Sequence, residues 1–157
     1  MKTKPEAANA RLREALEATG HRFTGQRAAV YRFLSGTTSH PNADEVFQEV
    51  RGQVPGISLA TVYKSLETLV NCGLAAKLTY SDGSARYDAR VDPHHHARCI
   101  SCSRVMDAPG RRLGEELERL TRGLDGFTVL DYRLELTGFC GACSPHQHMN
   151  ESKGPMN

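Results

Sequence analysis

No run of about 18 apolar residues occurs in this sequence, so no membrane-spanning helix is predicted. The first twenty residues, MKTKPEAANARLREALEATG, hold no apolar core of the kind a secretory signal needs, and a cytoplasmic location is expected. No segment repeats. No His-Glu-x-x-His helix is present, so the usual mark of a metal-dependent hydrolase is missing. Net charge is small, only +2. Cysteine is scarce at five residues, an odd number. In a reducing compartment its close pairs read as metal ligands or redox groups before disulfides.

What is present divides in two. The length of 157 residues suits one large domain or two small ones, and 39% hydrophobic residues suffice for a core. Residues 1–40 carry seven basic and three acidic side chains. That bias suits a nucleic-acid partner, although a solvated helix face would look similar. Residues 7–19 read as a helix with Leu12, Leu16 and Thr19 on one face. Thr24 can cap a second helix, with Val30, Phe33 and Leu34 inward. Asn42, with Glu45 at the capping-box position, opens a third along Ala43, Val46, Phe47 and Val50. Ser58 caps a fourth, with Val62, Leu66, Leu69 and Val70 inward and Gly73 as its stop. LAAKLTY and ARYDA around Ser81-Asp82-Gly83-Ser84 form a hairpin. Helices followed by a hairpin are the order of a winged helix-turn-helix.

After a connector at 89–96 the pattern changes. Short strands surround Cys99 and Cys102, a helix is predicted near 111–122, and alternation of Leu130, Tyr132, Leu134 and Leu136 predicts a half-buried strand within FTVLDYRLELTG. This half is about 55 residues, small enough to need a staple or a second subunit. The tail, 144–157, is polar and expected to be disordered.

The fourth helix keeps Ser58, Ala60, Thr61, Tyr63, Lys64 and Glu67 for its outer face. Ser58 and Thr61 suit phosphates at a helix N-terminus. Tyr63 suits a thymine methyl, and Lys64 reaches guanine edges in a major groove. Lys77 and Arg86 of the hairpin are placed to flank the backbone. An ordinary amphipathic helix would share the inner face but not the hairpin that follows.

Cys99, Cys102, Cys140 and Cys143 make two Cys-x-x-Cys knuckles, a closed tetrahedral set for structural zinc. Two redox dithiols are the alternative. The remaining Cys72 reads as a small buried hydrophobe. In an extended segment His94 and His96 share a face while His95 points away. A His-x-His pair suits zinc, iron or manganese, but a histidine run in a loop can also simply be solvated. His40 before Pro41, Asp88 after the hairpin and Asp107 lie at structural joints and, singly, read as turn or surface residues.

In order, His40-Pro-Asn-Ala-Asp-Glu-Val46, Ser58-Leu-Ala-Thr-Val-Tyr63, Gly73-Leu74, Arg86-Tyr-Asp88, His94-x-His96-Ala-x-Cys99-x-x-Cys102 and Cys140-x-x-Cys143 resemble the Fur (ferric uptake regulator) superfamily, over roughly residues 7–143. The resemblance implies an α/β (α+β) chain. Its parts would be a winged-helix DNA-binding domain at 1–88, a hinge at 89–96, a dimerisation domain at 97–143 with the four-cysteine zinc, and the tail. It implies a homodimeric transcriptional repressor of double-stranded operator DNA, not an enzyme, with no membrane partner and no small organic substrate.

The same resemblance makes His40, Asp88, His94, His96 and Asp107 the ligands of a regulatory Fe²⁺ or Mn²⁺. Three imidazoles and two carboxylates suit those ions. Asp107, where many iron-uptake regulators carry glutamate, resembles the peroxide-sensing PerR branch. There, peroxide acting at bound iron oxidises a ligand histidine, here His40 or His94, and the operator is released. Pro93 and Tyr132 stand where Fur proteins commonly carry histidines, which implies a single regulatory site. Lys64 replaces an arginine or asparagine, and Ser103 a glycine. The alternative is an iron- or zinc-uptake regulator without peroxide chemistry. A hydrolase using His94 and His96 leaves the helix-hairpin half unexplained, and a zinc-stapled interaction module is a third reading. His146 and His148 of the tail receive no role.

Overall fold

Local signals set the first helices. The computed structural model describes residues 4–110 and 113–144, and their contacts divide the chain into two units between Asp92 and Pro93. In the first unit α1 spans Lys4–Ala18, α2 Gly25–Gly36, α3 Ala43–Val50 and α4 Leu59–Asn71. Each of the last three begins at its predicted cap. Thr24 accepts from the Arg27 amide, Asn42 from Glu45 and Ser58 from Thr61. At Asn42 the box closes in both directions, because the Glu45 carboxylate accepts the Asn42 amide at 2.8 Å. Helix α4 stops at Gly73, whose φ of +68° turns the chain left-handed. Leu74 then donates to the Leu69 carbonyl at 2.9 Å and Gly73 to Val70 at 3.0 Å.

The inward faces meet in one core. Leu12 and Leu16 of α1, Val30 and Leu34 of α2, Val46 and Val50 of α3, and Val62, Leu66 and Leu69 of α4 are buried together. Thr19 departs from its expected place. It lies just past α1, exposed, with its hydroxyl donating to the Ala15 carbonyl at 2.8 Å and 3.0 Å from the Cys72 sulfur. Strands β1 (Ala76–Thr79) and β2 (Ala85–Asp88) form the hairpin, antiparallel, with Ala76 opposite Asp88 and Lys77 opposite Tyr87. Tyr87 packs its ring into the core and joins the hairpin to the helices.

The second unit is a three-stranded sheet with a short helix. Strand β3 (His95–Cys99) lies centrally, with β4 (Val105–Ala108) antiparallel on one side and β5 (Glu135–Gly138) parallel on the other. Strand β3 thus begins inside the stretch read as a connector. Helix α5 covers only Glu115–Thr121 of the predicted 111–122, of which 111 and 112 lie outside the described residues. Three glutamates in its first turn complement the helix dipole.

The long strand predicted through FTVLDYRLELTG forms only at 135–138. Alternation predicts a strand where one face has something to bury against. Here Leu130 is 92% exposed, and Leu120 and Phe127 are also exposed. Of the tail, only Ser144 lies among the described residues. No described helix is long and apolar enough to cross a membrane.

Candidate metal centres and nucleic-acid interface

Parallel pairing of β3 and β5 puts both cysteine knuckles at the same end of the sheet. Cys99 closes β3 opposite Gly138, and Cys140 follows two residues later. Each knuckle is a turn, in which Ser103 donates to the Cys99 carbonyl and Cys143 to the Cys140 carbonyl, both at 2.9 Å. The four sulfurs lie within 4.8 Å of one another, and Cys102 and Cys140 are 3.7 Å apart. A tetrahedron with zinc–sulfur bonds of about 2.3 Å has an edge of about 3.8 Å, so this set fits such an ion.

The backbone amides of Cys102 and Cys140 aim at the Cys99 sulfur and bring its thiol down to about 6. The Ser101 hydroxyl acts to lower Cys143, but the neighbouring thiols of Cys140 and Cys102, with burial, outweigh it and push Cys143 up to about 11. Sulfurs this close shed all their protons only when a cation takes up the charge.

Ser103 sits at φ +58°, the left-handed region that favours glycine. An L-residue there costs about 1–2 kcal/mol, partly offset by the greater freedom glycine loses on folding. Ser103→Gly is therefore expected to stabilise the metal-loaded protein by about 0.5–1 kcal/mol. Thermal unfolding reads this, and a lowered midpoint would contradict it.

The first unit brings His40 and Asp88 together. Loop 37–42 carries His40 before Pro41, with φ +50°. The Tyr87 amide donates to the Pro41 carbonyl at 2.9 Å, so β2 grips the loop. His40 Nε2 lies 3.3 Å from Asp88 Oδ2, with both side chains buried. The other Asp88 oxygen accepts the Arg90 amide at 2.7 Å.

Arg86 corrects an expectation. Its side chain is 14% exposed and does not lie along the wing surface as a phosphate contact. It donates to the His40 carbonyl at 3.0 Å and to Glu45 Oε2 at 3.1 Å. One signal in the sequence pointed there: residues two apart on a strand share a face, so Arg86 faces as Asp88 does. Lys77 is exposed but ion-paired with Glu67 of α4 at 2.7 Å.

The second unit brings His94, His96 and Asp107 together. Asp107 lies opposite His96 in the β3–β4 register. Its Oδ1 is 3.1 Å from His94 Nε2 and 3.7 Å from His96 Nε2, and the two rings are 4.4 Å apart. Nitrogen and carboxylate donors on one side of a strand form a hard, mixed set suited to Fe²⁺ or Mn²⁺. His95 is buried on the opposite side, its ring 6.0 Å from that of Tyr132. The Tyr132 hydroxyl accepts the Leu113 amide at 2.6 Å.

Helix α4 presents the expected outer face. Ser58, Ala60, Tyr63, Lys64 and Glu67 are exposed and Thr61 is half-buried. Tyr63, at 45% exposure, stands out from a helix whose other large apolar residues face the core. The Ser58 and Thr61 hydroxyls lie 2.9 Å apart at the helix start.

A model of the ferric uptake regulator family matches residues 18–137. The peroxide operon regulator of Bacillus subtilis (strain 168) is 39% identical over 142 residues, which cover 87% of this chain and 96% of that protein. The chain is also similar to the crystal structure of the Campylobacter jejuni peroxide stress regulator, with a TM-score of 0.62 and 31% identity over 84% of this chain and 95% of that one. A zinc uptake regulator complexed with zinc and DNA superposes with a TM-score of 0.60 at 25% identity, over 90% of this chain and 95% of its own.

Proposed function

The chain belongs to the ferric uptake regulator family, and from that membership we propose that it is a homodimeric, peroxide-responsive repressor acting on operator DNA in the cytoplasm. The observation that carries this reading is the sorting of donors by chemistry. Four sulfurs converge in one place, while imidazoles meet carboxylates in others. Cys99, Cys102, Cys140 and Cys143 would hold a structural zinc. His40, Asp88, His94, His96 and Asp107 would share one regulatory Fe²⁺ or Mn²⁺.

In this reading residues 1–88 bind DNA, 89–96 form a hinge and 97–143 pair two copies. Pairing is supported by the apolar side chains of Leu120, Phe127, Leu130 and Leu136, which are exposed in the single chain. Ser58, Thr61, Tyr63 and Lys64 would enter the major groove. Sharing five ligands between the two halves would fix their relative orientation, and with it the spacing of the two recognition helices in a dimer. Metal and DNA would then each favour the binding of the other.

An iron ion held by these residues would supply the redox chemistry that activates peroxide beside its histidine ligands. His40 or His94 would then take up one peroxide oxygen on a ring carbon while the other leaves as water, its ring nitrogen would become a poor metal donor, the shared set would loosen and DNA would be released. The protein turns over no substrate in this scheme. Peroxide treatment of the iron-loaded protein is expected to abolish DNA binding and to add one oxygen to a peptide containing His40 or His94, read by gel shift and mass spectrometry. The manganese-loaded protein is expected to keep its DNA. If the iron form survives peroxide and releases DNA only on metal removal, the protein is instead a metal-uptake regulator.

A further inference from the structure

His40 stands in a backbone conformation that its sequence context disfavours. It is not glycine, yet its φ is +50°, and the residue before a proline is pushed towards extended conformations. Three consecutive residues of β2 hold it there. The Arg86 guanidinium donates to the His40 carbonyl at 3.0 Å, the Tyr87 amide to the Pro41 carbonyl at 2.9 Å, and the Asp88 carboxylate meets His40 Nε2 at 3.3 Å. Arg86 is itself anchored, because the same Nη1 lies 3.1 Å from Glu45 Oε2. That carboxylate oxygen also accepts the Asn42 amide at 2.8 Å. The chain of contacts therefore runs from the α3 cap through Glu45 and Arg86 to the His40 peptide.

We propose that Arg86 is a positioning residue for His40: anchored by Glu45, it fixes the His40 carbonyl and so keeps the imidazole aimed at Asp88. The proposal rests on the reading of His40 and Asp88 as ligands of the regulatory ion. Arg86 touches no donor atom of that set. Without its side chain the buried His40 carbonyl loses a charged donor, and the peptide can rotate towards the extended conformation preferred before proline. The imidazole then leaves Asp88, although every donor residue is still present.

The test uses full-length, zinc-loaded protein and measures Mn²⁺ affinity by equilibrium dialysis, with thermal unfolding beside it. Arg86→Met is expected to weaken Mn²⁺ binding about tenfold, within the range seen when an outer partner of a metal ligand is lost. Arg86→Lys, which keeps one charged donor, is expected to fall between that variant and the parent, and it serves if Arg86→Met does not fold. In a His40→Ala background Arg86→Met is expected to cause no further loss of affinity, because it acts through the missing imidazole.

Two results overturn positioning. In the first, Arg86→Met and Arg86→Lys bind Mn²⁺ like the parent while His40→Ala binds it weakly. In the second, the Arg86 and His40 effects multiply in the double variant, which marks a general loss of fold. If His40→Ala itself binds Mn²⁺ like the parent, the ligand reading fails and takes this proposal with it, a pattern distinct from the other two.

Discussion

Cys140→Ser is expected to cost the second unit its zinc and its fold together. The apolar interior of that unit is thin. Among its described residues Val105 is buried, along with Cys99 and Cys140 themselves, while Leu120, Phe127, Leu130 and Leu136 stand in solvent in the single chain. A sheet of three short strands with so little core does not offset its chain entropy unaided. Binding of a structural zinc by thiolates contributes an apparent 10–16 kcal/mol or so near neutral pH, which is folding free energy wherever the site forms only on folding. Cys140 follows β5 and its sulfur lies 3.7 Å from that of Cys102, beyond the end of β3, so with a zinc shared between them its loss would untie the parallel pair. Metal content by elemental analysis, far-ultraviolet circular dichroism and sedimentation would be compared with the parent. With the proposed zinc and pairing, loss of the metal, of strand signal and of the dimer are expected together. A zinc-free variant that still pairs and melts like the parent would rule out the staple.

His94→Ala carries the second large effect. His94 and His96 stand over one carboxylate oxygen of Asp107, at 3.1 and 3.7 Å. Removing His94 takes away the nearer nitrogen and leaves an incomplete set. If metal and DNA binding are coupled as proposed, operator affinity in saturating Mn²⁺ should fall by about 5–150-fold, the span of typical coupling energies of about 1–3 kcal/mol. Fluorescence anisotropy at one fixed salt concentration measures it, since salt alone shifts protein–DNA affinity by orders of magnitude. The variant should also bind DNA equally with and without Mn²⁺. Metal-free His94→Ala that binds the operator as tightly as the metal-loaded parent would contradict the clamp.

The first unit was legible in the sequence almost residue by residue. Thr24, Asn42, Ser58 and Gly73 act within four residues of themselves, and the structure places a cap or stop at each. Such signals are local, so a linear reading captures them. The second unit was legible in where its cysteines meet more than in its elements. Cys-x-x-Cys spacing is a local geometry, and all four sulfurs converge. The alternation at 130–136 predicted too long a strand, because period-two hydrophobicity says which side chains could be covered, not that the same chain covers them. Arg86 was misplaced for a related reason. Its partners, His40 and Glu45, lie more than forty positions away, and an arginine on a wing is by default assigned to phosphate.

The parallel pairing of β3 with β5 also sets an order of events in folding. Antiparallel neighbours can zip from a tight turn, as β3 and β4 can across Cys99–Arg104, where the Cys99 amide donates to the Arg104 carbonyl at 2.9 Å. A parallel neighbour must wait for the chain to travel the length of the sheet and return. Through that wait Cys99 and Cys102 would hold half of the proposed zinc site. The second pair arrives only when β5 docks, and closing so long a loop is slow compared with forming a hairpin. If these four cysteines hold zinc as proposed, metal capture would be the closing step in the maturation of this unit, and a shortage of zinc would leave each new chain stalled with its sheet one strand short.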